Sequence, residues 1–425
     1  MSASFIQKIK YNKYVVRLYS KIMKHIRQNM VAIDVPEVRS LGYCGSEQTL
    51  SKLRLNLLVP SVNPQDVFGG IATALSFYQK LVDVLECDSR IIVLDREIDC
   101  SEMVPLEGYQ IVKNNVPSDE SKQLVDMTIR TNKKLIVGDK DVFMATSWWS
   151  AYMIDPIIEW QATKYNQSLH PLIYFIQDYE PGFYPWSSRY LMAESTYKMN
   201  IPIWGIFNSK LLYDYFEEQG YTLENSWYYE PVLNENLKQY LKDVQEFPKR
   251  KKQILLYGRP STSRNAFELI MESLREWVKI QEDVKEWTIL SAGEKFSDID
   301  LGEGIKVKSL GKLTLEEYAR VMLETRVGIS LMVSPHPSYP PLEMATFGIR
   351  VITNEYGNKN LSEFNENIVS IDNCSTVSIA RQLNALCNET ESYGKVILDG
   401  EYIEGSQGWE YIFKDIKMGL KLNMM

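Results

Sequence analysis

The alternation of apolar and polar positions divides the chain into two series of strands and helices. The first strong strand is 54–60, RLNLLVP, a nearly continuous apolar run of the kind buried on both faces in a parallel sheet. A loop over 61–70 ends in Phe-Gly-Gly, and 71–85 follows with helical spacing, so the unit reads strand, glycine loop, helix. Further strands are predicted at 89–94, 141–146, 171–176 and 201–208, with helices at 122–133, 151–163, 187–199 and 210–219. A Pro- and Lys-rich stretch at 246–252 reads as a linker. Beyond it, strands at 253–257, 286–292, 305–309, 327–332 and 350–353 alternate with helices at 266–282, 314–324 and 376–389 and one starting at 342–347. Strand–helix alternation of this kind predicts two doubly wound α/β domains in tandem.

Length agrees: 425 residues at roughly 100 to 200 per domain favour two domains with an extension. Organised this way, the chain has an extension at 1–50, a first domain at 51–245, a second at 246–405 and a closing helix over 406–425. With 45% hydrophobic and 24% charged residues the balance is that of a folded chain. Its net charge of −8 argues against a general nucleic-acid binder. Charge is uneven, however. Lys8, Lys10, Lys13, Arg17, Lys21, Lys24 and Arg27 precede the first acid, Asp34, and fall beside an apolar stripe of Tyr11, Val15, Leu18, Ile22 and Ile26. Two readings of this helix over 4–28 are open: it lies on an anionic membrane surface, or it packs on the protein with its basic side in water. No apolar run long enough to span a bilayer and no signal peptide is seen, so the expected location is cytoplasmic, with the inner face of the membrane as the site of any peripheral contact. Five scattered cysteines and three histidines fit neither a disulfide framework nor a histidine-rich metal site, and no metal or cofactor is expected.

Neither a Gly-x-Gly-x-x-Gly turn nor a Walker A sequence is present, which leaves less familiar phosphate cradles. One is 257–264, YGRPSTSR, where Arg259 and Arg264 are placed to converge on a diphosphate beside a helix start; an ordinary solvated loop is the alternative. A second is 334–348, SPHPSYPPLEMATFG, stiffened by Pro335, Pro337, Pro340 and Pro341. Here the helix is expected to begin near Leu342, with Glu343 in its first turn, either capping or accepting ribose hydroxyls. The third is 174–186, YFIQDYEPGFYPW, where Asp178 and Glu180 sit among Tyr179, Phe183, Tyr184 and Trp186 at the end of a strand. Aromatic faces with hydrogen-bond acceptors suit a carbohydrate, while a loop that merely plugs the sheet edge is the bland reading.

Taken together, Phe68-Gly-Gly, Gly258-Arg259 with a basic residue five positions on, Gly311-Lys-Leu-Thr-Leu-Glu-Glu-Tyr318 and Pro-Leu-Glu-Met-Ala-Thr-Phe-Gly348 resemble retaining glycosyltransferases of family 4. The segments 56–70, Gln177-Asp-Tyr-Glu-Pro and Ser334-Pro-His-Pro-Ser-Tyr-Pro-Pro-Leu-Glu343 are most similar to the WsaF-type bacterial rhamnosyltransferases, over about residues 50–425. The resemblance implies a GT-B fold, with two Rossmann-like domains facing a central cleft, a dTDP-β-L-rhamnose donor and a saccharide or lipid-linked glycan acceptor. It implies metal-independent transfer with retention. By position it places Arg259, Arg264 and Lys312 on the diphosphate, Glu343 on the ribose, and Gly69 and Gly70 where backbone approaches the donor. Ser338, Tyr339 and Leu342 become further donor contacts. Asp178, with Arg259 and Lys312, is expected at the chemistry, and Gln177, Asp178, Tyr179, Glu180 and Tyr184 toward the acceptor. Two positions depart from the family: Pro335 replaces its first motif glutamate and Gln177 its usual histidine. A nucleotide-sugar epimerase or hydrolase on the same fold, or a non-catalytic glycan-binding protein, remain as alternatives.

Overall fold

The structure, a computed structural model, describes residues 34–67, 69–99, 106, 108–242, 249–389, 394–405 and 408–423. The basic helix expected at 4–28 lies outside these residues, as does Phe68. Residues 34–40 carry a short 3-10 turn, Pro36–Val38. The remainder, from Leu41 onward, forms one compact unit built around two sheets.

The first sheet has eight parallel strands in the order Asn225–Tyr228, Ile203–Phe207, Leu172–Ile176, Asp141–Ala145, Arg54–Val59, Asp88–Val93, Lys122–Asp126 and Gln110–Ile111. The second has seven, ordered Ile299–Gly302, Ile305–Gly311, Thr288–Gly293, Lys251–Gly258, Thr325–Ile329, Arg350–Asn354 and Ile368–Ile371, all parallel except the first. Each sheet is sandwiched between two apolar clusters, which is why the strands read as unbroken hydrophobic runs. The doubly wound expectation therefore holds for both halves.

Chain order reverses between Arg54–Val59 and Asp141–Ala145 in the first sheet, and between Lys251–Gly258 and Thr325–Ile329 in the second. At such switch points the loops at the carboxyl ends of neighbouring strands run to opposite sides and leave a crevice. Both crevices are used below. The last helix, Glu410–Asn423, packs on the first half: Phe413 and Trp409 meet Phe77 at 4.9 and 5.2 Å, and Lys417 donates to the Val84 carbonyl.

Residues 122–133 correct the helix expected there. Lys122–Asp126 is a strand beside Asp88–Val93, with Gln123, Leu124 and Val125 buried, and Asp126 Oδ1 accepts from the backbone N–H and hydroxyl of Thr128. That side-chain turn stops the segment after five residues, and the partial helical spacing gives way to pairing with Asp88–Val93 on one side and Gln110–Ile111 on the other. Helix 342–347 also begins earlier than expected. It runs Tyr339–Thr346, because Pro340 and Pro341 fit the first turn, where their missing N–H groups cost nothing. Glu343 consequently stands beyond the first turn, and the N-terminal amides belong to Tyr339 and Leu342.

Candidate active site

The loop after Arg54–Val59 faces the strand ends of 251–258, 288–293 and 305–311 across a cleft of about 500 Å³ lined by Gly69, Gly70, Tyr257, Arg259, Ser261, Gly293, Glu294, Lys312 and Tyr318. Gly69 has φ 50° and ψ −123°, a conformation that favours glycine, and opens the helix Gly70–Leu85. A Cβ on Gly70 would stand 2.5 Å from Gln177 Oε1, so the bare backbone at Gly70 leaves room for the Gln177 side chain where it lies. On the facing side, Arg259 follows the strand Lys251–Gly258 directly and Lys312 follows Ile305–Gly311. Glu294 is held by the Ser261 N–H and hydroxyl at 3.0 and 2.7 Å, and its carboxyl is lowered by those bonds and by Arg259. Gly69, Gly70, Arg259 and Lys312 are thus brought together.

Behind this wall lies Glu343. Burial raises its carboxyl to about 7, moderated by the Tyr318 hydroxyl, which connects it to the cleft. Leu342 packs its side chain in the core with Leu255 and Phe347, and leaves only backbone to the loop. Ser338 holds φ 69° and Ala266 φ 48°, both uncommon for residues with a Cβ, and each lies in a loop bordering the second sheet's switch point. The Ser338 N–H donates to His336 Nδ1 at 3.0 Å, which puts the proton of the neutral ring on Nε2. Burial holds His336 down at about 4, so the ring is neutral at pH 7. The Tyr339 ring lies 5.6 Å from it.

Arg264 is not among the lining residues of this cleft. Its Nε lies 3.4 Å from Asp178 Oδ2, and its guanidinium stacks over Phe183 at 4.2 Å. Asp178 also accepts from the Ser334 hydroxyl, so one carboxylate of the first half is gripped by two residues of the second. Lys359, 1% exposed, donates to the Met332 carbonyl at 2.6 Å within the electrostatic reach of Asp178, and burial lowers it to about 7. A second link joins the halves where Asn358 Nδ2 donates to the Leu211 carbonyl at 2.9 Å. Ser334, His336 and Lys359 were missed as site residues. His336 had a signal, lying inside the proline-rich loop, whereas Lys359 in YGNKNL had none.

A smaller cavity of about 280 Å³ shares Gly70 with the main cleft and is lined by Asp66, Thr146, Trp149, Gln177 and Glu180 among others. Glu180 is buried, and its Oε2 accepts from the Trp148 N–H at 2.5 Å and the Tyr174 hydroxyl at 3.2 Å. Trp148 opens the helix Trp148–Tyr165, so the carboxyl caps a helix start. Burial nevertheless outweighs both bonds and raises Glu180 to about 8. Raised above its unfolded value of ~4.3, the carboxyl keeps a proton in the folded chain that the unfolded chain has released. Its contribution to stability therefore falls as pH rises from ~4.3 to about 8. In Glu180→Gln, melting temperature should decline less between pH 5 and 8 than in the wild type; an unchanged slope in a pH series of thermal melts would contradict this. Tyr179 and Tyr184 are engaged internally, the first through Tyr221 at 2.9 Å and the second by accepting from Trp148 Nε1 at 3.0 Å.

Two Rossmann-like α/β domains with loops facing a shared cleft define the GT-B class. The model of the WsaF N-terminal domain matches residues 54–210 and that of the WsaF C-terminal domain matches 252–384, and the chain belongs to this family. It is 31% identical over 253 residues to the O-antigen biosynthesis protein RfbC of Myxococcus xanthus, covering 58% of this chain and 18% of that far longer protein. Among solved structures it is similar to sucrose-phosphate synthase from Thermosynechococcus elongatus, with TM-score 0.52, 12% identity, and coverage of 87% of this chain and 99% of that one. The pneumococcal O-GlcNAc transferase GtfA, in complex with UDP and GlcNAc, gives TM-score 0.50 at 10% identity, covering 88% and 100%. Among the described residues no helix is long and apolar enough to cross a membrane.

Proposed function

We propose that this protein is a glycosyltransferase that moves L-rhamnose from dTDP-β-L-rhamnose to a saccharide or lipid-linked glycan during surface polysaccharide assembly. The observation that carries the reading is the pairing of a glycine backbone, Gly69–Gly70, with Arg259 and Lys312 across one cleft at the carboxyl ends of strands from both sheets. Family membership and the name of the Myxococcus xanthus relative support the polysaccharide context.

In this reading Arg259 and Lys312 stabilise the charge that develops on the departing diphosphate, and Arg264 approaches it from the Asp178 side. Glu343 serves the ribose from behind Tyr318. The glycines admit the donor without side-chain obstruction. Asp178, held between Ser334 and Arg264, marks where the reacting sugar and the acceptor meet. Transfer with retention and without a metal follows the family resemblance, a donor phosphate oxygen taking the acceptor's proton.

A thermal-shift panel tests the donor. dTDP and dTDP-rhamnose are expected to raise the melting temperature more than UDP, GDP or their sugars. A preference for UDP or GDP would overturn the rhamnose assignment and leave glycosyl transfer standing. Consumption of donor at equal rates with and without an acceptor glycan would favour an epimerase or hydrolase instead.

A further inference from the structure

Of the aromatic side chains in 174–186, most are committed within the protein. Phe183 lies under Arg264, Tyr184 accepts from Trp148 and Tyr179 belongs to a tyrosine network. Trp186 is different: it is 94% exposed, the highest figure among the exposed large hydrophobic side chains of the described residues. It is also ordered. Its ring stacks on Tyr190 with centroids 5.7 Å apart and planes 9° from parallel, and the intervening Ser187 caps the helix Ser188–Ser195 by accepting from the Tyr190 N–H at 3.3 Å. The two rings lie parallel and offset, so nearly all of the indole is open to water.

The platform is linked through contacts to Asp178. The Tyr190 hydroxyl lies 3.3 Å from that of Tyr179, whose backbone N–H donates to Asp178 at 2.8 Å, and Asp178 is the carboxylate gripped by Ser334 and Arg264. Tyr190 also stands within electrostatic reach of Tyr356, on the facing half. A chain of touching residues thus runs from the reacting region to an exposed flat aromatic face.

We propose that Trp186, backed by Tyr190, is a distal acceptor subsite that stacks on the C–H face of a sugar one or more residues from the one being extended, so that the protein acts on an oligosaccharide rather than a monosaccharide. The proposal rests on the glycosyl-transfer reading above. An open indole face matches the apolar side of one pyranose ring, and the parallel Tyr190 ring widens the flat surface offered to it. A lipid surface fits less well. In this segment only Trp186 and Leu191 are strongly exposed large apolar side chains, too small a patch to anchor on a bilayer without a basic face, while the neighbouring Glu194 and Lys198 pair with each other.

The test uses the full chain with dTDP present and a glycan array carrying mono-, tri- and hexasaccharides of bacterial surface sugars, read for wild type, Trp186→Ala and Trp186→Phe. Wild type should retain tri- and hexasaccharides. Trp186→Ala should lose about tenfold in apparent affinity for them, and Trp186→Phe should recover most of it. Because the side chain is exposed, the melting temperature and its rise with dTDP should not move in either variant. Equal glycan retention by Trp186→Ala overturns the subsite. So does a loss of binding to phosphatidylglycerol vesicles with glycan retention intact, which would mark a membrane contact. If dTDP stabilises wild type but no glycan is retained, the subsite fails while the donor reading stands; if no nucleotide stabilises it, the donor reading itself fails and the subsite loses its basis.

Discussion

Replacing Arg259 with alanine is expected to lower transfer by ~10² to 10³ in rate, the usual cost of removing one group that stabilises charge in a transition state. The residue is placed for that effect rather than for folding. It follows directly on the buried strand Lys251–Gly258, so its backbone is fixed, its carbonyl accepting from the Thr262 N–H at 2.9 Å. Its side chain, half-buried, lies along Gly293, where an added Cβ would come within 3.3 Å of Arg259 Cγ. Truncation therefore removes a cation from the cleft without opening the core, and the melting temperature should stay near the wild-type value. Glu294 keeps both Ser261 donors and is not stranded. Arg259→Lys should recover part of the rate, since a point charge replaces a fork able to bind two phosphate oxygens. Steady-state rates and dTDP binding, measured on both variants, check the assignment; turnover and affinity unchanged in Arg259→Ala would remove Arg259 from the diphosphate site.

Much of this arrangement was legible in the sequence because a parallel sheet announces itself locally. Runs such as 54–59 and 172–176 need only their own residues to be recognised, and the glycine and arginine that end two of them follow within a short loop. The strand Lys122–Asp126 was not legible, since Leu124, Val125 and Met127 fit a short helix as well as a strand, and the deciding contacts are the ladders to Asp88–Val93 and Gln110–Ile111. Long-range partnership hid the rest. Asp178 meets a serine 156 residues away, and nothing in either segment encodes that meeting. Lys359 carries no local motif, and its burial follows from the way the loop at 356–359 lies against the first half of the molecule. Glu343 was placed one step too early because the two prolines before it, read as a loop, fit within the helix.

At the opposite end of the first sheet from the cleft, Asp141→Ala should destabilise the fold by about 3–5 kcal/mol, the range found when one member of a buried charge cluster is removed. Asp141 is fully buried and accepts from Arg54 at 2.7 and 2.8 Å, Asn56 at 2.9 Å and the Gly138 N–H at 2.6 Å, with Arg90 at 3.4 Å. These contacts join three adjacent strands, 54–59, 88–93 and 141–145, at their amino ends, and two guanidiniums depend on this carboxylate for compensation. Burial alone would raise Asp141, but Arg54 and Arg90 outweigh it and hold the carboxyl at about 2. Because the folded value lies below the unfolded ~3.9, its stabilisation is present above that pH and is lost as pH falls toward about 2. Asp141→Asn, which keeps the shape and removes the charge, should also melt several degrees lower and should lack this acid-dependent component. A melting temperature within a degree of wild type in Asp141→Asn would show that packing, not charge compensation, holds the strand ends. Since the cluster lies at the amino ends and Gly69–Gly70 at the carboxyl end, the variants should still be stabilised by dTDP below their melting temperature, separating a weakened scaffold from a damaged cleft.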